Sequence, residues 1–560
     1  MSAEQGPAGA GRYFSDFFTP RIAEKAGVIE VCCPGSGPAD PLITGLEYDS
    51  RKIRPGNLFF AFPGVHTDGR AFIGDAVSRG AAAVFHQEKP GPYQDRAAFI
   101  RVRDARLAMS AVADAFYGFP SRRMAVIGVT GTEGKSTTVY LIYQLLRLSG
   151  FKAGFISTVL HGDGKTETPN SEHQTTPEAP AVHRLLAEML RNGAAIAVVE
   201  ASSHGLSKKT GRLEDVIFDA GVMTNVNREH LEFHGTWEQY RSDKAELFRA
   251  LDSSLAGSGA KTGGPAAAPF GVVNADDPSA AYFRAATGRK TYTYSTRGAD
   301  ADLSLRIINS GAGGNWYEVY AAETGEDLLI RDRLPGAFNA GNVLAALLTV
   351  SRLVSLPVKQ LAALVPRLKP ARGRMTALQK GQPFEVLADY AHTPSSFEAV
   401  FPPLRERLSS RGQRVISVFG SAGERDTGKR VEQGRIAAAY SDIVILTDED
   451  PRGEDPAAIL EEIAQGCEAY QGCEAYQGRE TDQGRESKTR GKDLFLIPDR
   501  PAAIRKAFSL AGKGDLVLLL GKGHENSIIY AEKTVPYDEI GEAEKALEEM
   551  GYTGTAGEEI

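Results

Sequence analysis

The chain has 560 residues, 42% of them hydrophobic, with 64 Lys and Arg against 71 Asp and Glu and a formal net charge of −7. That length exceeds a single domain several times over and calls for two to four cores of ~150 residues each. The basic residues are dispersed, which argues against a nucleic-acid surface, and no apolar run reaches the ~18 residues of a membrane span. The opening M-S-A-E-Q-G-P-A-G-A-G lacks the charged-then-apolar pattern of a secretory signal, so a cytoplasmic protein is expected. Cys32, Cys33, Cys467 and Cys473 have no zinc-ligand spacing and read as free thiols.

After a small, polar start, organised sequence begins at Thr44. Leu58 to Phe62 reads as a strand after a Pro55-Gly56 turn, and Ala71 to Arg79 as a short helix ended by Gly80. A small α/β unit therefore closes near Pro120. Its Asp49-Ser50-Arg51 and Thr67-Asp68-Gly69 loops offer polar groups to a ligand, although such triplets are also ordinary turn chemistry.

The stretch Met124 to Ser136 reads M-A-V-I-G-V-T-G-T-E-G-K-S, and a helical pattern (Val139, Leu141, Ile142, Leu145, Leu146) follows it. An apolar strand, a glycine-punctuated loop and a helix in this order make a phosphate site. Gly131 and Gly134 let backbone N–H groups close on phosphate oxygens, and the helix points its positive end at them. Lys135 then reaches the outer phosphates and the Ser136 hydroxyl sits on magnesium. The spacing departs from G-x-x-x-x-G-K-S, because position 129 is Val.

Strands and helices then alternate: a helix to Leu148, a strand over Lys152 to Thr158, a helix over Ala179 to Arg191, and strands over Ala194 to Glu200 and Val216 to Thr224. This predicts a mainly parallel sheet with ligands at the carboxyl ends of its strands. Glu200 ends its strand there and is the candidate magnesium carboxylate. Asn225 ends the other and is followed by Arg228, His230 and His234, while Tyr240 and Lys244 share a helical face. A lone His230 would read as structural; with these neighbours it reads as part of a site.

Leu255 to Pro269 is a Gly/Ala/Ser stretch without periodicity and predicts a surface insertion. Beyond Gly271 to Asn274, P-G-A-F-N-A-G-N opens a helix with Asn339 and Asn342 three apart, placed to cap it or to read an adenine edge. A third α/β unit begins near Lys369, with strands in F-E-V-L-A-D, V-I-S-V-F, D-I-V-I-L and L-V-L-L-L, each ending in charged and glycine residues. Within it, Gln465 to Glu486 repeats Q-G-C-E-A-Y imperfectly, shows no core-forming pattern, and predicts a second low-complexity surface insertion, 465–490.

Laid out in order, these motifs resemble the Mur ligase family, of the UDP-N-acetylmuramoyl-tripeptide synthetase type. The resemblance runs from about Thr44 to Asp538. It is carried by D-S-R…P-G-N-L-F-F-A…D-G, G-T-E-G-K-S, T-T-P, E-A-S-S-H-G-L, T-N-V-N-R-E-H-L-E-F-H-G-T and Y-x-x-x-K. It continues through G-A-F-N-A-G-N, G-R-M, D-Y-A-H-T-P, G-E-R-D-T-G-K-R, E-D-P-R-G-E-D-P and G-K-G-H-E. It implies an α/β fold of three domains: 1–120 for the uridine nucleotide, 121–366 as the P-loop-type ATPase and 367–560 as a Rossmann-like amino-acid domain. It also implies ATP and magnesium as cofactors, small-molecule substrates only, and a monomer.

The implied reaction joins a diamino acid (meso-diaminopimelate, L-lysine or L-ornithine) to the D-Glu side chain of UDP-N-acetylmuramoyl-L-alanyl-D-glutamate through an acyl phosphate. By the same resemblance Lys135, Glu200, His230 and Lys244 are catalytic, and Ser136, Glu200, His230 and a carbamylated Lys244 meet magnesium. Gly131, Thr132, Gly134, Lys135, Ser136 and Thr137 bind ATP with Asn339, Asn342, Arg374, Asp389 and His392. Ser50, Thr67, Asp68, Thr175, Thr176, Ser202 and Arg212 take the UDP substrate, and Arg425, Asp450, Pro451, Arg452, Gly521 and Glu525 take the amino acid.

Diaminopimelate-adding members typically read D-N-P-R where this chain reads Glu449-Asp450-Pro451-Arg452, so Asp450 replaces an Asn. An added negative charge there attracts a distal ammonium and tilts the expectation toward L-lysine or L-ornithine. A folylpolyglutamate synthetase shares the central-domain logic but not the D-S-R…P-G-N-L-F-F and G-K-G-H-E ends. A non-catalytic nucleotide-binding protein would have no need of Lys135, Glu200, His230 and Lys244 together.

Overall fold

A computed structural model describes residues 11–32, 40–64, 68–88, 96–170, 174–229, 231–253, 265, 267–311, 314–409, 412–470 and 487–554. The chain divides into two compact units. One comprises Met1–Leu305, Tyr320–Leu328 and Gly341–Leu364; the other comprises Arg306–Val319, Leu329–Ala340 and Val365–Ile560.

The first unit contains two sheets. The smaller is built from β1 (Val28–Cys32), β2 (Gly45–Glu47), β3 (Asn57–Phe60), β4 (Ala83–His86) and β5 (Ala98–Val102), in the order β2-β3-β4-β5-β1 with only β1 antiparallel. Its strands are apolar runs, as expected where helices cover a parallel sheet: all four residues of β3 are buried. The predicted helix at Ala71 to Arg79 is a 3₁₀ turn, Gly69–Phe72, running into an α-helix, Ile73–Ser78. Helix α1 (Ala105–Phe116) follows β5.

The larger sheet holds β6 (Ala125–Thr130), β7 (Ala153–Ile156), β8 (Ile196–Glu200), β9 (Ala220–Met223), β10 (Phe270–Asn274) and β11 (Lys290–Ser295), in the parallel order β7-β8-β6-β9-β10-β11. From β6 the chain runs through α2 (Lys135–Leu148) to β7, returns through α3 (Ala179–Arg191) to β8, then crosses to β9 on the far side of β6. The carboxyl end of β6 thus lies where the winding reverses, the place where such sheets bind ligands. The expected strand over Val216 to Thr224 shortens to β9 because the Asp219 carboxylate accepts from the Val126 N–H at 2.8 Å. Helix α4 (Trp237–Ala250) follows β9.

The small and large sheets of this unit meet at a buried polar cluster. Asp114 on α1 lies 3.4 Å from Arg122 and 3.5 Å from the His183 ring on α3, while Lys25 pairs with Asp215. Burial, with Asp215 nearby, pushes the Asp114 carboxyl up to about 7, and burial holds the His183 imidazole down to about 4.

Helix α5 (Asn339–Val354) opens at the predicted residue. The second unit carries β12 (Glu385–Asp389), β13 (Val415–Phe419), α6 (Gly428–Tyr440), β14 (Ile443–Leu446), α7 (Pro456–Ala469), β15 (Leu494–Leu496) and β16 (Leu516–Leu520). The parallel order is β12-β16-β13-β14-β15, with Thr376–Leu378 antiparallel on β12.

The second insertion begins later than the sequence suggested. Its first repeat lies mainly in α7, with Cys467 fully buried and Tyr470 nearly so. Gly466 and Gly434 let α7 and α6 touch: a Cβ on either would fall about 2 Å from a carbonyl oxygen of the facing helix. The Cys467 thiol is free and burial pushes it up to about 12. The rest of the repeat, 471–486, lies outside the described residues, as does all of 255–269 except 265 and 267–269.

Candidate active site

β6 is buried along its length and delivers its loop to the middle of the sheet edge. Gly131 is required by closeness, since a Cβ would meet the Thr224 hydroxyl at 1.9 Å, and Gly134 by a φ of +79° and a contact with the Asn342 amide. Helix α2 begins at Lys135, whose ammonium donates to the Thr132 carbonyl at 2.7 Å. Residues after β9 bracket the same loop. The Thr132 N–H donates to the Asn225 carbonyl at 2.8 Å and the Glu133 N–H to the Asn225 side chain at 2.9 Å. Asn225 is the loop-holding residue whose sequence signal, a polar residue at a strand end, had no partner until the fold supplied one.

Ser136 donates to Glu200 Oε1 at 2.9 Å, and Glu200 Oε2 accepts the Thr158 N–H at 2.8 Å. Glu200 is 1% exposed. A hydroxyl and a carboxylate side by side are the hard oxygen donors that magnesium takes, so these two residues fit the ion.

Lys244, on α4, is buried and its Nζ donates to the Gly131 carbonyl at 2.5 Å, with the Tyr240 ring 4.4 Å away. Burial, with the Lys135 charge adding to it, drives the Lys244 ammonium well below its usual value. Tyr240, one helical turn earlier, bonds the Thr132 hydroxyl at 3.0 Å, which confirms the shared face read from the sequence. His230 lies outside the described residues. His234, next along, is structural: its ring joins Asp243 at 2.7 Å and Ser203 at 3.1 Å.

A second cluster adjoins Glu200. The Thr176 hydroxyl donates to the Glu200 carbonyl at 2.8 Å and bonds the Ser202 hydroxyl at 2.9 Å. Arg212 donates to the Thr176 carbonyl at 2.9 Å and to Glu178 at 2.8 Å. Thr176, Ser202 and Arg212 are therefore gathered, with Thr175 next to Thr176 in the chain. In the smaller sheet's loops, Ser50 opens a 3₁₀ turn capped by Asp49, and Asp68 caps another while pairing with Arg70, so both loops are also turn chemistry. Thr67 lies outside the described residues.

Of the two amides on α5, Asn342 accepts from the Thr138 hydroxyl at 3.1 Å and so touches α2 beneath the phosphate loop. Asn339 donates to the Pro335 carbonyl at 2.8 Å. In the second unit Asp389 ends β12, accepting the Met375 and Ala391 N–H groups at 2.7 Å each; burial raises its carboxyl, against the pull of Arg374. Arg374 lies over the Tyr390 ring, and the His392 ring bonds the Tyr390 carbonyl at 2.9 Å.

The other strand ends of that unit bring Asp450, Pro451, Arg452, Gly521 and Glu525 together, whereas Arg425 is exposed on its loop. Gly521, at φ +100°, packs where a Cβ would reach 2.8 Å from the Glu449 carboxylate. Arg452 adopts φ +55° and its N–H donates to the Ile529 carbonyl at 2.9 Å. Lys522, passed over in the sequence, sits between the acids. Its buried ammonium donates to Asp450 at 2.8 Å and to Glu525 at 2.5 Å, and Asp450 also accepts the Ile529 N–H at 2.9 Å. Asp450 is therefore not an isolated carboxylate: it and Glu525 share the one Lys522 ammonium.

Comparison with known proteins agrees with this arrangement. Family models match in order: "Mur ligase family, catalytic domain" over residues 42–117, "Mur ligase middle domain" over 129–350 and "Mur ligase, glutamate ligase domain" over 373–523. The UDP-N-acetylmuramyl-tripeptide synthetase of Treponema denticola is 50% identical over 550 residues, 95% of this chain and 98% of that protein. That of Treponema pallidum is 47% identical over 531 residues, 90% and 93% of the two chains. Among solved structures, a UDP-N-acetylmuramoyl-L-alanyl-D-glutamate–2,6-diaminopimelate ligase is 27% identical with a TM-score of 0.57, covering 91% of this chain and 96% of its own.

Proposed function

The chain belongs to the Mur ligase family, and from that premise we propose that it is the ATP-dependent, ADP-forming ligase that adds a diamino acid to UDP-N-acetylmuramoyl-L-alanyl-D-glutamate. The product is a tripeptide precursor of peptidoglycan.

A carboxylate and an ammonium do not condense in water. The D-Glu side-chain carboxylate first attacks the γ-phosphorus of ATP, forming a C–O–P bond as the bond to ADP breaks. The neutral amine of the diamino acid then attacks the acyl carbon, and inorganic phosphate leaves with the C–O electron pair. The β6 loop N–H groups cradle the ATP phosphates, and Lys135, freed from the Thr132 carbonyl, follows the transferring phosphoryl group. Ser136 and Glu200 would hold magnesium, which would supply positive charge where phosphate charge builds up.

Lys244 in its neutral form adds to CO₂, forming an N–C bond and releasing a proton. The resulting carbamate, with His230, would hold a second magnesium. Thr176, Ser202 and Arg212 hold the UDP substrate beside Glu200. Arg452, Glu525 and their neighbours hold the amino acid: meso-diaminopimelate, L-lysine or L-ornithine.

The observation that carries this reading is the convergence of Ser136, Glu200 and a buried Lys244 on one phosphate loop, which a simple nucleotide-binding module does not need. The test is phosphate release from ATP with UDP-N-acetylmuramoyl-dipeptide, with and without each diamino acid. Release that depends on both co-substrates supports it; release indifferent to the diamino acid overturns it.

A further inference from the structure

Glu178 stands at the N-cap position of α3, yet its side chain makes no cap bond to that helix. The carboxylate, 3% exposed, turns away and accepts through one oxygen, Oε1, from two arginines. These are Arg212 at 2.8 Å and, from the start of α1, Arg106 at 2.7 Å. Arg106 also lies over the Phe62 ring at 5.0 Å.

An ion group that only fastened two sheets together would match charges. Here two cations share one anion. Among the described residues, Nε of Arg106, Nε of Arg212 and Oε2 of Glu178 are buried without hydrogen-bond partners. The group therefore keeps a net positive charge and spare donors. It also lies next to the chemistry: Arg212 holds the Thr176 carbonyl, Thr176 holds the Glu200 carbonyl, and Glu200 holds Ser136.

We propose, resting on the ligase reading above, that Arg106 and Arg212, clamped side by side on Glu178, form one oxyanion site for the UDP-muramoyl dipeptide. Arg106 is a substrate-binding residue and Glu178 a positioning residue. The ligand is an oxyanion of the substrate other than the reacting carboxylate: the second carboxylate of its D-Glu or its diphosphate. Planar guanidinium forks suit both.

The test uses the full-length protein and the variants Arg106→Ala, Arg106→Lys and Glu178→Gln. Steady-state rates are combined with calorimetric binding of UDP-N-acetylmuramoyl-L-Ala-D-Glu and of UDP-N-acetylmuramoyl-L-Ala. Arg106→Ala is expected to raise KM and Kd for the dipeptide substrate about 20-fold or more, as loss of a charge-assisted contact does, with KM for ATP and diamino acid within about twofold of wild type. Arg106→Lys should recover part of the loss, and Glu178→Gln should raise the same KM.

A loss seen with both nucleotides assigns the diphosphate, and a loss confined to the dipeptide assigns the carboxylate. Unchanged dipeptide KM and Kd in Arg106→Ala, whatever its urea midpoint, would overturn the proposal and leave a structural ion group. If the alanine variant does not fold, unchanged values in Arg106→Lys overturn it equally. Wild-type protein that binds the dipeptide nucleotide but shows no diamino-acid-dependent phosphate release would sink the ligase reading instead.

Discussion

Asp114→Asn isolates what a buried carboxyl does to stability as pH changes. Asp114 is 1% exposed, lies 3.4 Å from Arg122, and faces Asp215 and the uncharged His183, with Lys25 drawn off by Asp215. Burial raises its carboxyl from 3.8 to about 7. The folded value lies above the unfolded one, so the protonated form is what the fold prefers. The stability it contributes is fully present below about pH 4 and is lost as pH rises to about 7, staying level beyond. At ~1.4 kcal/mol per pH unit the whole effect is on the order of 4 kcal/mol, the Arg122 pair being already included in the shifted value.

Asparagine keeps the shape and never ionises. The variant should therefore gain on wild type by about 2 kcal/mol between pH 5 and pH 8. Urea unfolding midpoints followed by fluorescence at several pH values measure this directly. A wild-type-to-variant difference that is the same at pH 5 and pH 8 would refute the reasoning, because it would mean that Asp114 is already ionised in the fold at pH 5.

Three further substitutions bear on the site and its surroundings. Lys244→Ala should abolish ligation and regain part of it with short-chain carboxylates, which restore the lost oxygens; full activity without rescue would exclude a carbamate. Asp450→Asn strips Lys522 of one of its two carboxylates. With Lys522 left to Glu525 and one negative charge removed, kcat/KM for meso-diaminopimelate relative to L-lysine should rise by about tenfold or more, and an unchanged ratio would show that this charge does not face the substrate. Excising 471–486 should leave kcat/KM within about tenfold of wild type, since the Lys488 N–H already bonds the Cys467 carbonyl at 3.1 Å and the ends of the excised piece are close. Extending the deletion back to Gln465 should instead lower the urea midpoint, because it removes the buried Cys467 and Tyr470; equal midpoints for the two deletions would place 465–470 outside the core.

The phosphate loop was legible because strand, glycines, Lys135, Ser136 and helix are contiguous, and each local preference agrees with the fold. Glu200 was legible from its place at a strand end. What brings Lys244 to Gly131, or Asn225 to Glu133, is sheet order, which no local pattern encodes. The strands Leu303–Gly311, Gly314–Ala321 and Glu326–Asp332 went unread; in the last the exposed Leu329 and the buried Asp332 break the period-two pattern that would have marked it.

The Gln465 repeat misled in the opposite direction. Low complexity hid the fact that its first copy carries small residues where α7 meets α6. The partner of Asp450 was not legible: Lys522 lies in a different motif, and only the parallel sheet brings the two together.

The central claim is that the D-Glu carboxylate becomes an acyl phosphate and is captured by a diamino acid. Substrate labelled with ¹⁸O in the D-Glu side-chain carboxyl, turned over with ATP and each diamino acid in turn, tests it most directly. The account predicts that one labelled oxygen appears in each inorganic phosphate released, alongside a UDP-muramoyl tripeptide heavier by one diamino-acid residue. Phosphate released free of label would contradict it.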